Sequence, residues 1–267
     1  MKIGRIGYIN CAPVYGAIDR GIVALPPGGE LVTGTPAELN DLLVAGELDL
    51  SVISAIEYAR HAKELALLSD LAISCDGPVR SVALFAKQAV GRLGGSTILL
   101  SASSRTSVAL LELLCRDVWT IKPKFAEARA EAQDLEALRA LPHEAVLVIG
   151  DAALKLAAAG TYAHRYDLGE EWKRWTGKPF VFAVWAARRS ADPAAVQRGH
   201  RALLAARAWG LEHLDAIAEE TARVTQLPLG TCREYLSGLD YAFTDTHRAA
   251  LSDFLRRAGV PQFMQVA

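Results

Sequence analysis

Short apolar segments alternate with amphipathic segments along the first part of the chain. Residues 48–53 and 97–100 are typical of buried strands, and each is followed by a segment with helical spacing of its apolar residues. Another helix is predicted after Thr35, which caps it, with Pro36 in the first position and Glu38 in the third. Strands that alternate with helices predict an α/β fold with mixed, mainly parallel sheets flanked by helices.

Glycine-rich interruptions and two long apolar strands, residues 81–87 and 180–187, indicate where the chain passes between two lobes. We expect residues 1–86 and 181–267 to form a discontinuous first lobe that includes the C-terminal helices. Residues 87–180 are then expected to form an inserted second lobe. A cleft between lobes is the usual place for a small ligand, so the ligand site is predicted there.

Acidic and basic residues nearly balance. The 267 residues include 29 basic and 30 acidic ones, and the net charge is −1. No block of basic residues occurs, which argues against a nucleic-acid partner. We recognise no signal peptide and no run of roughly 18 apolar residues that would span a membrane. The sequence therefore predicts a cytoplasmic protein without a membrane partner, and it leaves the oligomeric state open.

Neither the cysteines nor the histidines show the spacing of a metal site or a redox pair. No CxxC, HxxxH or HxH pattern occurs, and no GxSxG signature points to a serine nucleophile. We therefore expect no metal, and we expect reduced, mostly buried thiols. The four cysteines are Cys11, Cys75, Cys115 and Cys232.

The stretch SASSRTS, residues 101–107, lies between a predicted strand and a predicted helix. A helix N-terminus offers free backbone N–H groups and a partial positive charge, which attract anions. Ser103, Ser104 and Thr106 add hydroxyl donors, and Arg105 can grip a carboxylate in a fork. These residues predict an anion site. The alternative is that one serine caps the helix while Arg105 lies in solvent.

Three more polar residues follow predicted strands. Asn10 comes after a strand predicted at residues 6–9, and either binds the ligand or belongs to a turn. Ser54 either binds the ligand or caps a helix. Asp151 opens a helix, whose dipole should lower the pKa of its carboxyl group and make it a mild base, unless it serves only as a cap. Ser81, at the start of a strand, completes the predicted substrate-binding residues.

Six stretches, in order along nearly the whole chain, resemble the menaquinone-biosynthesis family of the periplasmic-binding-protein fold. Within it they resemble the chorismate dehydratases; the sister naphthoate synthases are expected to carry a SPCPNDT-like stretch where this chain has YINCAPV. The stretches are RIGYINCAPVYGAI (5–18), GTPAELNDLLVAGELDLSVISAIEYA (34–59), LAISCDGPVRSVALFAK (71–87), SSRTSVALLELL (103–114), VLVIGDAAL (146–154) and WTGKPFVFAVWAAR (175–188).

This resemblance implies a two-lobed type II periplasmic-binding-protein fold and a hydro-lyase without metal or organic cofactor. The implied reaction converts chorismate to 3-[(1-carboxyvinyl)oxy]benzoate and water in the futalosine route to menaquinone. Asn10 matches the family's active-site asparagine and could hydrogen-bond the departing hydroxyl group. Ser103, Arg105 and Thr106 could hold the ring carboxylate. The base is either Asp151 or the substrate's own enolpyruvyl carboxylate.

Two other readings stay open at this point. The same cleft could belong to a non-catalytic cytosolic binding protein for an anionic aromatic metabolite. The chain could also be the sister 1,4-dihydroxy-6-naphthoate synthase.

Overall fold

The computed structural model describes residues 1–101, 104–127 and 140–260. The described strands form two mixed sheets of five strands each. The first sheet has the order β2–β1–β3–β10–β4, in which β10 runs antiparallel to both of its neighbours. Its strands are β1 (Lys2–Ile6), β2 (Glu30–Gly34), β3 (Leu50–Ser54), β4 (Leu65–Cys75) and β10 (Phe180–Arg188).

The second sheet has the order β7–β6–β8–β5–β9. Its strand β6 pairs in parallel with β7 and β8, and β5 pairs antiparallel with β8 and β9. Its strands are β5 (Val82–Ala86), β6 (Thr97–Leu100), β7 (Lys124–Glu127), β8 (Ala145–Ile149) and β9 (His164–Asp167).

Helices flank both sheets, as the alternating pattern predicts, and the α/β fold is confirmed. They are α1 (Ala12–Asp19), α2 (Pro36–Ala45), α3 (Ala55–Arg60), α4 (Arg105–Leu113), α5 (Gly150–Ala159), α6 (Leu168–Thr176), α7 (Pro193–Glu212), α8 (Leu214–Thr225), α9 (Leu229–Ser237) and α10 (Asp245–Arg257). Among the described helices, none is long and apolar enough to cross a membrane.

The chain leaves the first sheet at the end of β4, enters the second with β5 and returns with β10. Because β5 pairs with β8 and β9, the crossing lies earlier than the predicted boundary at residue 86. The return falls at Phe180, next to the predicted boundary at residue 181. The division of the chain into two lobes stays a prediction.

The predicted start of α2 is confirmed. The backbone N–H of Glu38 donates to Thr35 Oγ1 at 3.3 Å, and the Glu38 carboxylate accepts from the Thr35 N–H at 2.8 Å. The prediction of a strand at residues 6–9 was wrong. Strand β1 ends at Ile6, and residues Ile9–Cys11 form a short 3-10 helix that leads into α1. Pro13 lies in the first turn of α1, where the fixed φ of proline suits a helix start.

Most aromatic residues of the segment 171–185 are buried in the core. Trp172 and Phe180 pack edge-to-face with ring centroids 5.2 Å apart, and Phe254 of α10 packs edge-to-face on both. Trp185 Nε1 donates to Tyr15 Oη at 3.0 Å, which satisfies the buried indole. All four cysteines are buried and unpaired. The core thus fixes β10, the strand that joins the two halves of the chain.

Candidate functional site

A cleft lies where the carboxyl ends of β1, β3 and β8 meet, with about 550 Å³ of empty space in it and at its mouth. In α/β folds, ligands bind at such strand ends. Among its described lining residues no side chain is charged. The polar ones are Tyr8, Asn10, Ser54, Ser81, Ser104, Ser107 and Tyr235. The structure thus brings together Asn10, Ser54, Ser81 and Ser104 of the predicted site.

Asn10 lies in the 3-10 helix that follows β1 and lines the cleft. Its amide oxygen Oδ1 is buried and has no hydrogen-bond partner. A buried acceptor left unpaired costs about 1–3 kcal/mol, so proteins keep few of them. On a residue that lines the cleft, such an acceptor would regain this free energy if a ligand donated to it. Asn10 is therefore prepared to accept a hydrogen bond from a bound hydroxyl or protonated group.

Asp151 lies in the first turn of α5 but does not cap it, because no side-chain hydrogen bond to that helix is made. Its Oδ1 instead accepts from the backbone N–H of Ile9 at 3.2 Å. This contact places the carboxylate beside the residue that precedes Asn10. The structure therefore brings together the two predicted catalytic residues from different sheets.

The predicted direction of the Asp151 pKa shift was wrong. Burial raises the pKa of this carboxyl group to about 6, although the hydrogen bond from Ile9 and the charge of Lys155 act in the opposite direction. Removal from water disfavours the charged form, and here it outweighs the helix dipole on which the sequence prediction relied. Asp151 can therefore exchange a proton near neutral pH.

Gly150 and Tyr8, which both line the cleft, lie close together. Gly150 has φ +65°, and a Cβ atom added there would lie 2.9 Å from Cδ2 of the Tyr8 ring. A side chain at residue 150 is therefore excluded both by the left-handed backbone and by Tyr8. Because Tyr8 follows β1 and Gly150 follows β8, this contact brings the strand ends of the two sheets together.

Ser54 ends β3 and makes no capping bond to α3, so the capping alternative is wrong for this residue. It is only 5 % exposed and is held by Asn40 of α2. Its backbone N–H donates to Asn40 Oδ1 at 3.0 Å, and Asn40 Nδ2 donates to Ser54 Oγ at 3.1 Å. The serine hydroxyl is thus fixed at the wall of the cleft.

Ser81 lies between β4 and β5, where the chain crosses from one sheet to the other. The hydroxyl group of Tyr235, from α9, donates to Ser81 Oγ at 2.8 Å. Burial raises the pKa of Tyr235 far above its ordinary range, so the phenol keeps its proton. Through Tyr235, the C-terminal helix α9 forms part of the cleft wall.

Ser104 both caps α4 and lines the cleft, so the two alternatives for it hold together. Its Oγ accepts from the Ser107 N–H at 3.3 Å and donates to Ser107 Oγ at 2.8 Å. Ser107 also lines the cleft. Thr106 is buried elsewhere, where its Oγ1 accepts from the N–H of Ile56 at 3.2 Å. Ser103 lies outside the described residues.

Arg105 does not line the cleft, so the structure corrects the prediction that its guanidinium grips a ligand there. Arg105 forms an ion pair with Asp41 at 2.7 Å and another with Glu57. Successive helix residues are turned by about 100°, so Arg105 cannot share the face on which Ser104 and Ser107 lie three residues apart. Its charge stabilises the contact of α4 with α2 and α3.

The cleft presents neutral donors: serine hydroxyls and the N-terminus of α4, with its free N–H groups and partial positive charge. Such groups bind an anion without an opposing full charge. Within the described ranges, no group of three His, Cys, Asp or Glu side chains is placed to hold a metal ion. The cleft can therefore bind a carboxylate next to Asn10. Asp151 is not among the lining residues of the cleft; its carboxylate accepts from the N–H of Ile9, the residue before Asn10.

Sequence reasoning missed Tyr8, Asn40, Ser107 and Tyr235. Tyr8 lies in the stretch YINCAP, and Ser107 follows Ser104 at the spacing of one helix face, so both had a local signal. Asn40 and Tyr235 reach the site only through the tertiary fold, and the sequence carries no local signal for them.

Comparisons with known proteins agree with this architecture. Residues 1–259 match the protein family described as Menaquinone biosynthesis. The chain is 35 % identical to a chorismate dehydratase of Thermus thermophilus, with 97 % of this chain and 95 % of the relative covered. It is 30 % identical to a chorismate dehydratase of Campylobacter jejuni, with 68 % and 66 % covered.

Solved structures share the fold at low sequence identity. A protein of Archaeoglobus fulgidus superposes with a TM-score of 0.76 at 20 % identity, with 97 % of this chain and 96 % of that chain covered. The alkanesulfonate-binding protein of Xanthomonas axonopodis, solved with MOPS bound, superposes with a TM-score of 0.67 at 16 % identity, with 97 % and 93 % covered. These likenesses confirm a periplasmic-binding-protein-like fold. On its sequence match along almost its entire length, the chain belongs to the menaquinone-biosynthesis family.

Proposed function

We propose that this enzyme of the menaquinone-biosynthesis family is a chorismate dehydratase, a hydro-lyase of the cytoplasm. It converts chorismate to 3-[(1-carboxyvinyl)oxy]benzoate and water, as the first step of the futalosine route. The observation that carries the proposal is that Asn10, which lines the cleft, has a buried Oδ1 without a partner and lies one residue from the backbone N–H that holds Asp151. The names of the two curated relatives support the same reaction.

The chemistry of the cleft suits chorismate, which carries two carboxylates on a small ring system. The hydroxyls of Ser54, Ser81 and Ser107 supply donors for carboxylate oxygens. The apolar lining, which includes Ile6, Ile149 and Phe182, suits the faces of the ring. An arginine is not required, because charge-assisted hydrogen bonds from neutral donors and a helix N-terminus already favour an anion.

The reaction removes the proton at C3 and the hydroxyl group at C4. The C3–H and C4–O bonds break, the electrons of the C3–H bond form the C3–C4 double bond, and the ring becomes aromatic. Donors on the ring carboxylate stabilise the charge that develops as the C3 proton leaves. Asn10 Oδ1 accepts a hydrogen bond from the C4 hydroxyl and orients it for departure. Much of the catalysis then comes from positioning.

The C3 proton passes to Asp151 or to the enolpyruvyl carboxylate of the substrate, which lies close to C3. In either case one proton joins the departing hydroxide, so water is the only other product. The pKa of Asp151, near 6, suits both acceptance of the C3 proton and its delivery to hydroxide. Turnover by the variant Asp151→Asn separates the two assignments.

Incubation of the purified protein with chorismate, followed by ultraviolet absorbance and mass analysis of the product, tests the proposal. We expect loss of the diene absorbance and formation of a substituted benzoate with the mass of chorismate less one water. A non-catalytic binding protein would only gain thermal stability with chorismate. A naphthoate synthase would leave chorismate unchanged, and either result would contradict the proposal.

A further inference from the structure

The side chain of Asn40 is completely buried, on the face of α2 that packs against β3. Its amide is the only group of that side chain able to form hydrogen bonds, and both ends of it contact Ser54. Oδ1 accepts from the Ser54 backbone N–H at 3.0 Å, and Nδ2 donates to Ser54 Oγ at 3.1 Å. Two bonds to one residue fix the position of Ser54 more closely than packing alone.

These two bonds also determine the direction of hydrogen bonding at the serine. A backbone N–H can only donate, so the amide oxygen of Asn40 must face it. The amide nitrogen must then face Ser54 Oγ, and because an amide NH₂ can only donate, the serine oxygen must accept. The single proton of the Ser54 hydroxyl is therefore directed away from Asn40. Ser54 lines the cleft, so that proton is available to a bound ligand.

From this geometry we infer that Asn40 is a positioning residue that makes Ser54 an obligatory hydrogen-bond donor to a carboxylate of the substrate. Without Asn40, the serine hydroxyl could rotate and act as acceptor or donor. With Asn40, one lone pair of the hydroxyl oxygen is occupied and the proton is directed away from the amide, which favours an anionic group over a neutral hydroxyl donor. The inference rests on the proposed function, because it assigns the anion to chorismate.

Ser81 shows the same arrangement with a different partner. The phenol of Tyr235 is 1 % exposed and donates to Ser81 Oγ at 2.8 Å. Of the two hydroxyls the phenol is the stronger acid, so it is the donor, and the proton of Ser81 is left for the cleft. Ser54, at the end of β3, and Ser81, between β4 and β5, thus each accept from a buried donor. Asn40 and Tyr235 therefore leave the hydroxyl protons of the two serines free for a ligand in the cleft.

The variant Asn40→Asp tests the inference with little change in shape. A carboxylate cannot donate, so it would accept the Ser54 proton and withdraw it from the cleft. Since a hydrogen bond to a charged group contributes about 1.5–3 kcal/mol, we expect the KM for chorismate and its Kd by calorimetry to rise about 10- to 100-fold, with a smaller change in kcat. Protonation of the introduced carboxylate would restore a donor, so the ratio of variant to wild-type KM should fall as the pH falls towards about 5.

A double-mutant cycle separates this role from a general effect on the fold. In a Ser54→Ala background, Asn40→Asp should raise KM less than about threefold further, since its partner is gone. The neutral variant Asn40→Ser should raise KM as well, without recovery at low pH, and it replaces the aspartate variant if that one does not fold. Val44→Asp places a carboxylate on an exposed position of the same helix and should leave KM unchanged.

The inference would be overturned if Asn40→Asp raised KM equally in the wild-type and the Ser54→Ala backgrounds. It would also be overturned if the ratio of the Asn40→Asp KM to the wild-type KM did not change with pH. A KM for Asn40→Ser equal to that of the wild type would overturn it as well. These results leave the proposed function intact as long as the wild-type protein dehydrates chorismate. A wild-type protein that neither binds nor converts chorismate overturns the proposed function, and the role of Asn40 falls with it.

Discussion

The Asp151 carboxylate accepts a hydrogen bond from the backbone N–H of Ile9 at 3.2 Å, although the two residues follow strands of different sheets. This bond holds a titratable group next to Asn10, whose amide oxygen has no partner. A proton carrier and a hydrogen-bond acceptor thus meet at the strand ends. Neither sheet alone could form this pair, so the closeness of the two sheets is part of the site.

Asp151→Asn should stabilise the protein at neutral and alkaline pH. The pKa of Asp151 is raised to about 6 by burial, so the folded protein favours the protonated form. The stability contributed by this group is present below its unfolded pKa of about 3.9 and is lost as the pH rises through the folded pKa. At about pH 8 the asparagine variant should unfold with a free energy higher by about 1–3 kcal/mol.

Chemical denaturation of both proteins at a series of pH values measures this difference. The difference in unfolding free energy between the variant and the wild type should shrink towards zero as the pH falls to about 4. A variant less stable than the wild type at about pH 8 would contradict the assigned pKa.

The same substitution also identifies the base. If Asp151 takes the C3 proton, Asp151→Asn should lower kcat by about 100-fold or more, and wild-type kcat should rise with pH around pH 6. If the enolpyruvyl carboxylate takes the proton, the variant should keep kcat within about tenfold and the pH dependence near 6 should be weak. Steady-state kinetics from about pH 5 to pH 8 distinguishes the two assignments.

Gly150→Ala should damage both the fold and the site. The added Cβ would meet the Tyr8 ring at 2.9 Å, and the residue would keep a left-handed φ of +65°. We expect a loss of about 2–4 kcal/mol in unfolding free energy and a large loss of turnover.

Gly160→Ala is the matched control. Gly160 also has a positive φ, of +60°, but no atom lies within 4 Å of the added Cβ. The unfolding free energy should then fall by only about 1 kcal/mol, the cost of a left-handed backbone conformation for alanine, and turnover should be unchanged. Equal effects of the two substitutions on turnover would show that contact with Tyr8 is irrelevant to the site.

Arg105→Gln tests the correction made to the sequence prediction. Because the guanidinium pairs with Asp41 and with Glu57, which is only 5 % exposed, its loss should lower stability by about 1–3 kcal/mol. The KM for chorismate should change less than about threefold, since no hydrogen bond to the charged ligand is lost. A rise in KM of more than about tenfold would contradict this correction and show that Arg105 contributes to substrate binding.

Local features of the fold were predictable from the sequence, and features that depend on contacts between distant segments were not. The capping box of Thr35 and Glu38 involves residues three apart, so its residue types reveal it. The pKa of Asp151 depends on its burial in the folded protein, and the sequence offered only the dipole of its own helix.

The candidate site shows the same division. The strand-end position of Ser54 follows from the alternating pattern, whereas Asn10, which was predicted to follow a strand at residues 6–9, lies in a 3-10 helix after β1. Arg105 was misassigned because its partner Glu57 lies 48 residues away in the chain, and Tyr235 reaches Ser81 across 154 residues. Such pairings are set by tertiary packing rather than by local spacing.

Turnover of chorismate by Asn10→Ala, compared with the wild-type protein, tests the central claim most directly. The variant removes the unpaired acceptor and should fold normally, because Asn10 Oδ1 has no bond to lose. We expect kcat to fall by about 100-fold or more while the calorimetric Kd for chorismate changes less than about tenfold. A folded variant that dehydrates chorismate at the wild-type rate would contradict the account.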